Sequence, residues 1–166
     1  MITIKTDRLT IRESSGRDFS RIYAMLLSQA NEQNSSSLVY EVSTDEDAEL
    51  EKYLAYIHTV YPVFGIGLCS VVLNETSEVI GWCGLQPIGD ENTPMGRIEL
   101  GYLIDGPYRG KGYAYEACRA ILSFAFERLE LDRVYAQIDE KNEASCKLAK
   151  RLGFTPGSGG LWSAEP

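Results

Sequence analysis

Tyr108-Arg109-Gly110-Lys111-Gly112-Tyr113-Ala114 joins an extended apolar run, residues 97–104, to a long amphipathic helix pattern. This junction restricts the fold more than any other stretch. Its two glycines let the chain curl where side chains would clash, and the curl opens straight into a helix N-terminus. Successive N–H groups in such a turn face one anion at the positive end of the helix. Pyrophosphate suits that cradle, and Arg109 and Lys111 add charge to it.

Two familiar phosphate loops do not fit these residues. In GxxxxGK[ST] terms, Gly106 to Gly110-Lys111 is one residue too short, and Gly112 stands where a magnesium-binding hydroxyl is required. The dinucleotide fingerprint fails as well: the third glycine is missing, and about twenty residues on, where a ribose-binding acid should end a strand, the pattern is still helical.

The 166 residues, 44% of them hydrophobic, suit one domain spanning 1–166. The opening residues lack the apolar centre of a signal peptide, and the longest apolar stretch, residues 60–73, is short and interrupted by Gly and Pro. The expectation is a soluble cytoplasmic protein with no membrane partner. Cys69, Cys83, Cys118 and Cys146 lie far apart in sequence without a CxxC pair, which favours reduced core thiols over a disulfide framework or a metal site.

Charge is uneven. Residues 1–106 carry 7 basic and 16 acidic side chains, whereas residues 107–166 carry 9 and 8. That balance disfavours nucleic acid as a partner and is compatible with a cationic amine meeting the acidic half.

Residues 6–12 alternate as a first strand, after which Ser15-x-x-Asp18 caps a helix with Phe19, Ile22, Tyr23 and Leu26 on one face. Residues 31–37 break it. Ser43-x-x-Glu46 opens a second, acidic helix to about Val60, whose lone His58 reads as structural or exposed. Residues 64–73 and 79–86 form a hairpin about Asn74–Ser77, and a polar turn over 89–96 leads to the third run, 97–104. A helix over 110–129, a strand over 133–138 in parallel pairing, and a short helix over 144–152 ended by Gly153 and Phe154 follow. The fold class is mixed α/β, with a mostly antiparallel twisted sheet flanked by helices.

Read as Arg-x-x-Gly-x-Ala, Arg109, Gly112 and Ala114 resemble the acyl-CoA pyrophosphate loop of the GNAT N-acetyltransferase superfamily. Asn142-Glu143-Ala144-Ser145 followed by Leu152-Gly153-Phe154 is similar to its second motif, and Thr6-Asp7-Arg8-Leu9-Thr10-Ile11-Arg12 looks like the opening strand of the ribosomal-protein N-acetyltransferase-like branch. The resemblance implies acetyl-CoA as co-substrate, an amine acceptor, and no metal. It puts the cofactor on Arg109, Gly110, Lys111, Gly112, Tyr113 and Ala114, on Asn142 and Ser145, and along Leu103 and Ile104. It further implies that the third meander strand splays from the strand after the long helix. A backbone N–H near Tyr102 or Leu103 would then stabilise an oxyanion, with a bulge expected at Gly101; packing room for a neighbouring aromatic is the other reading of that glycine.

Three residues are candidates for the chemistry. Glu99, the acid inside the third strand, matches the position of a glutamate base in superfamily members that acetylate protein lysines. The family's usual Tyr proton donor is Ala149 here, which leaves Ser145, Tyr102 or solvent to protonate the thiolate. Cys146 has no adjacent His, so direct transfer in a ternary complex is favoured over an acyl-enzyme. Lys141, Lys147, Lys150, Arg151 and Arg119 could meet the 3′-phosphate or form a solvated face. Tyr53, Tyr56, Tyr61 and Trp82 could line an acceptor pocket or pack as core. Residues 155–166 look able to supply at most one brief strand, leaving open acceptor binding, a homodimer in which a partner subunit covers that wall, or impaired activity. The expected function is acetyl transfer to a primary amine of a small molecule or protein N-terminus; the alternative is a non-catalytic acyl-CoA sensor.

Overall fold

The computed structural model describes residues 2–31, 42–90 and 93–166. Thr3–Lys5 (β1) and Leu9–Glu13 (β2) pair antiparallel, with Ile4 opposite Ile11. The single strand expected over residues 6–12 is thus divided. Thr6 N–H donates to Leu9 O at 2.9 Å, and its hydroxyl accepts the Leu9 N–H at 3.0 Å, so one side chain closes a turn that alternation alone does not reveal. Within β2, Leu9 and Ile11 are fully buried and each stabilises the fold by roughly 1.5–3 kcal/mol over exposure.

Ser15 and Asp18 form the expected capping box at a 3₁₀ turn, Gly16–Asp18, that runs into helix α1, Phe19–Asn31. Beyond Asn31 the expected break lies outside the described residues. Helix α2, Glu46–Phe64, begins two residues later than the Ser43 reading: the cap is Asp45, which accepts the Ala48 N–H at 3.2 Å, while the Ser43 hydroxyl accepts the Asp45 N–H at 3.0 Å. The helix also outruns Val60, tolerating Pro62 near its end and stopping at Gly65 (φ +66°).

Leu68–Leu73 (β3), Val79–Asp90 (β4) and Thr93–Ile104 (β5) form the antiparallel meander. The polar turn expected over 89–96 is tighter than that, because β4 and β5 extend into it; residues 91–92 lie outside the described set. Helix α3, Tyr113–Glu127, crosses to Val134–Gln137 (β6), which pairs parallel to β5. Helix α4 is Glu143–Arg151.

The C-terminal segment supplies two short strands, Thr155–Pro156 (β7) and Leu161–Ala164 (β8), where at most one was expected. Its glycines make the reversal: Gly159 and Gly160 have φ of +63° and +76°, and Gly160 O accepts the Ile138 N–H at 2.8 Å. β8 pairs with β6 and buries Trp162, completing an eight-stranded sheet in the order β1-β2-β3-β4-β5-β6-β8-β7.

Period two divides β5 between the two faces. Leu100, Tyr102 and Ile104 join the core against Cys118 and Ile121 of α3, while Glu99, Gly101 and Leu103 belong to the opposite face, where α1 packs against β4. Cys83 and Cys118 are buried with their sulfurs 3.7 Å apart, and all four cysteines are free thiols. Burial raises the Cys83 pKa well above the usual thiol range and pushes Cys69 up to about 12, so both stay protonated and inert. No helix among the described residues is long and apolar enough to cross a membrane.

Candidate active site

After β5 the chain makes a 3₁₀ turn, Gly106–Tyr108, then passes Gly110 (φ +74°) and Gly112 (φ +84°) to enter α3. L side chains in this left-handed region cost about 1–2 kcal/mol. A Cβ on Gly110 would meet nothing within 4 Å, and one on Gly112 only Arg8 Nη2 at 3.4 Å, so the front of the loop is open. Among the described residues the N–H groups of Gly110 through Tyr115 donate to no acceptor, the first bond of the helix running from Glu116 N–H to Gly112 O at 3.1 Å. Uncommitted donors at a helix N-terminus, left bare by glycine, fit the diphosphate of coenzyme A.

The loop is braced from behind. Arg109 Nε donates to Ile104 O at 2.9 Å, which directs this guanidinium toward the end of β5. Lys111 Nζ lies 5.4 Å from the Tyr108 ring centroid, and the Arg8 guanidinium sits 4.5 Å from that of Tyr113. Arg8 also bonds Lys111 O and Glu116, and Thr6 bonds Glu116. Sequence reasoning missed this clamp; an acid one turn into α3 was its one local signal. Arg151, considered for the 3′-phosphate, instead stacks on Tyr115 with its Cζ 3.7 Å from the ring centroid.

β5 and β6 touch in register only at Glu99 opposite Tyr135. Beyond that point β5 keeps β4 as its ladder partner and parts from β6, which is the splay the resemblance implied. Gly101 is not bulged. It pairs in register with Gly84, and a Cβ there would meet Trp82 Cζ3 at 3.3 Å, so this glycine makes room for the indole. Edge amides are exposed by the parting of the strands, with no bulge needed.

A cavity of about 630 Å³ crosses the sheet at this gap, bringing Glu99, Tyr102 and Ser145 into one space. The Tyr102 and Ser145 hydroxyls share a 2.8 Å hydrogen bond. Burial pushes the Tyr102 pKa up to about 12, although the Ser145 bond opposes the rise, so the phenol is a protonated donor near neutrality. Burial likewise raises the Glu99 pKa, against the pull of Arg97, whose Nε lies 3.8 Å from Oε1. Ala149 is buried in the cavity wall where the family places Tyr. Asn142 caps α4, its Oδ1 accepting the Ser145 N–H at 3.0 Å, and so orients Ser145. Leu103 and Ile104 follow on the splayed strand with buried side chains, leaving their backbone for any ligand contact. Tyr53, Tyr56 and Trp82 line the cavity; Tyr61 does not, its hydroxyl donating to Leu68 O and accepting the Ser14 N–H.

An open sheet parted between two parallel strands, beside a glycine cradle at a helix N-terminus, defines a coenzyme A-dependent acyltransferase. A family model described as an Acetyltransferase (GNAT) domain matches residues 8–155, and the chain belongs to this family of acyl-CoA-dependent N-acetyltransferases. It is 40% identical over 85 residues to the uncharacterized N-acetyltransferase p20 of Bacillus licheniformis, covering 51% of this chain and 46% of that one; the match thus spans about half of that relative. The structure of the acetyltransferase from Agrobacterium tumefaciens str. C58 superposes with a TM-score of 0.78 at 26% identity, covering 100% of this chain and 95% of the other. RimL, a ribosomal L7/L12 alpha-N-protein acetyltransferase in complex with coenzyme A, shares the fold at a TM-score of 0.77 and 17% identity, over 99% and 98% of the two chains.

Proposed function

We propose that the chain acetylates a primary amine directly in a ternary complex, with Glu99 as base and the Tyr102–Ser145 pair as proton donor. The observation that carries this reading is the single cavity through the parted sheet, which Glu99 enters from one face and Tyr102 and Ser145 from the other. When bound, acetyl-CoA supplies the acyl group: the amine lone pair forms a C–N bond to the thioester carbon, the C–S bond breaks onto sulfur, and coenzyme A leaves as a thiol.

Residues of this chain handle the protons. Glu99 takes one from the incoming ammonium, directly or through water, passes it to solvent and then takes the second N–H proton lost as the amide forms; its raised pKa makes it a stronger base than an exposed glutamate. Tyr102 gives one to the departing sulfur and is recharged through Ser145. The loop from Gly110 to Tyr115 holds the diphosphate, and the free edge of β5 orients and polarises the carbonyl.

The test is thiol release from acetyl-CoA across a panel of amines, with Glu99→Gln as the comparison. Turnover that falls by about tenfold or more in the variant supports the mechanism. Coenzyme A binding without turnover of any amine would instead mark a sensor.

A further inference from the structure

On the α1–α2 side the cavity is walled by Phe19, Tyr23, Tyr53, Tyr56 and Trp82. Phe19 stacks on Tyr23, with centroids 5.3 Å apart and planes at 11°, and tilts against Tyr53 at 5.5 Å, so three rings form one continuous apolar surface. Their polar tips are engaged elsewhere. Tyr23 and Tyr53 donate to the backbone oxygens of Ser43 and Ser15 at 3.0 Å, and Tyr56 OH accepts the Leu68 N–H at 2.9 Å. An occupant therefore meets ring faces and edges.

Among the described residues, the charged side chains touching the cavity are Glu49, Lys52 and Glu99. Glu49 is only 3% exposed, and its Oε1 accepts Lys52 Nζ at 2.8 Å and Ser43 N–H at 3.1 Å, so its charge is answered from within the protein. Glu99 has a looser partner, Arg97 Nε at 3.8 Å, and is the carboxylate better able to meet an incoming cation. Gln29, whose buried Oε1 has no partner among the described residues, Gln86 and Ser14 add neutral polar groups to the lining.

We infer that the acceptor is an apolar primary monoamine, an aryl- or branched-alkyl-amine, with its ammonium on Glu99 and its body against the Phe19–Tyr23–Tyr53 surface. This rests on the acetyl-transfer reading above and specifies its substrate class. Polyamines and aminoglycosides carry further ammonium groups, which would lie desolvated against aromatic carbon with no further carboxylate among the described residues of the wall to meet them. A peptide N-terminus brings backbone amides that find few partners on such a wall. The cavity volume is in the range of small-molecule sites.

The test measures kcat/KM with acetyl-CoA for 2-phenylethylamine, isoamylamine, spermidine, kanamycin and a peptide with a free N-terminal alanine, alongside calorimetric binding of coenzyme A. The aryl- or branched-alkyl-amine should exceed spermidine, kanamycin and the peptide by about a hundredfold. Leu26→Glu, which sets a further carboxylate, free of a lysine partner, into the wall, should narrow the gap to spermidine by about tenfold. Preference for spermidine, kanamycin or the peptide in the unmodified protein overturns this substrate class and leaves acetyl transfer standing. If coenzyme A binds and no amine is turned over, both readings fall together.

Discussion

Arg8 in the first hairpin and Glu116 in α3 are joined across 108 positions of sequence: Arg8 Nε donates to Glu116 Oε2 at 2.7 Å while Arg8 Nη1 holds Lys111 O at 3.0 Å. Glu116 Oε1 is occupied too, by the Thr6 hydroxyl at 2.6 Å and the Arg8 N–H at 3.0 Å. One guanidinium thus ties the hairpin, the phosphate loop and the first turn of the helix together. Glycine permits the curl of the loop but does not fix it. The clamp fixes it, by charge-assisted bonds that stay outside the cradle.

Loosening this clamp should weaken cofactor binding more than folding. Arg8→Ala or Glu116→Gln is expected to cost about tenfold in coenzyme A affinity, equivalent to ~1.4 kcal/mol, with little change in Tm because the Arg8 side chain is 46% exposed. Burial opposes ionisation of Glu116, but the Thr6 and Arg8 bonds outweigh it and lower its pKa. The stabilisation is therefore present above the unfolded glutamate value and disappears as pH falls through the lowered folded one. Calorimetry should find affinity declining below the ordinary glutamate range in the parent protein and flatter in Glu116→Gln; equal affinity in all three proteins would remove the clamp from the account.

Glycine substitutions along the loop separate backbone strain from loss of the Arg8 clamp. Gly112→Ala, at φ +84°, should lose about 1–2 kcal/mol of stability, a Tm fall of roughly 2–8 °C. Gly112→Val should also lose coenzyme A affinity by about a hundredfold, since its side chain presses on Arg8 Nη2, 3.4 Å from a Cβ there, and dislodges the clamp that holds the cradle in shape. Gly106→Ala is the control: it has an ordinary φ and nothing within 4 Å of a new Cβ. Loss of binding in Gly106→Ala equal to that in Gly112→Val would mean that the loop fails through general distortion.

What the sequence disclosed was local. The strand–loop–helix junction and the Gly153 stop both rest on chemistry within a few residues, and both are where they were expected. Features set by distant partners were hidden. Gly101 could be a bulge or room for an aromatic, and only the pairing of strands shows that Trp82 takes the space, as the second reading had it. The glycine-rich C-terminal segment looked able to supply at most one brief strand because β8 is stable only once β6 offers it an edge. Ser43 resembled a cap as much as Asp45 did, and only backbone geometry separates them. The Arg8–Glu116 clamp and the aromatic wall join residues from separate elements, which periodicity cannot pair.

Glu99 should trade stability for activity. Its carboxylate is raised in pKa by burial, with Arg97 pulling the other way. The folded protein therefore binds this proton more tightly than the unfolded chain, and ionising it costs stability as pH rises past the unfolded glutamate value. Glu99→Gln removes that cost. Its Tm should exceed that of the parent near pH 7, with the difference vanishing below the glutamate range, while kcat falls about tenfold or more. A variant less stable at pH 7 would show that Arg97 pairing outweighs desolvation.

Tyr102 and Ser145 should behave as one unit. Burial keeps the phenol protonated, its pKa about 12, and the Ser145 bond is what restrains the rise. Ser145→Ala therefore makes Tyr102 a weaker acid still, whereas Tyr102→Phe removes the proton altogether. If the proton reaching the leaving sulfur passes from Ser145 through Tyr102, both variants lower kcat, by about tenfold or more, with little change in the KM for acetyl-CoA. The double variant should then be no slower than Tyr102→Phe alone, because a broken relay cannot be broken twice. Multiplicative losses would show two independent donors, and a kcat unchanged in Tyr102→Phe would mean that the thiolate departs without help from this pair.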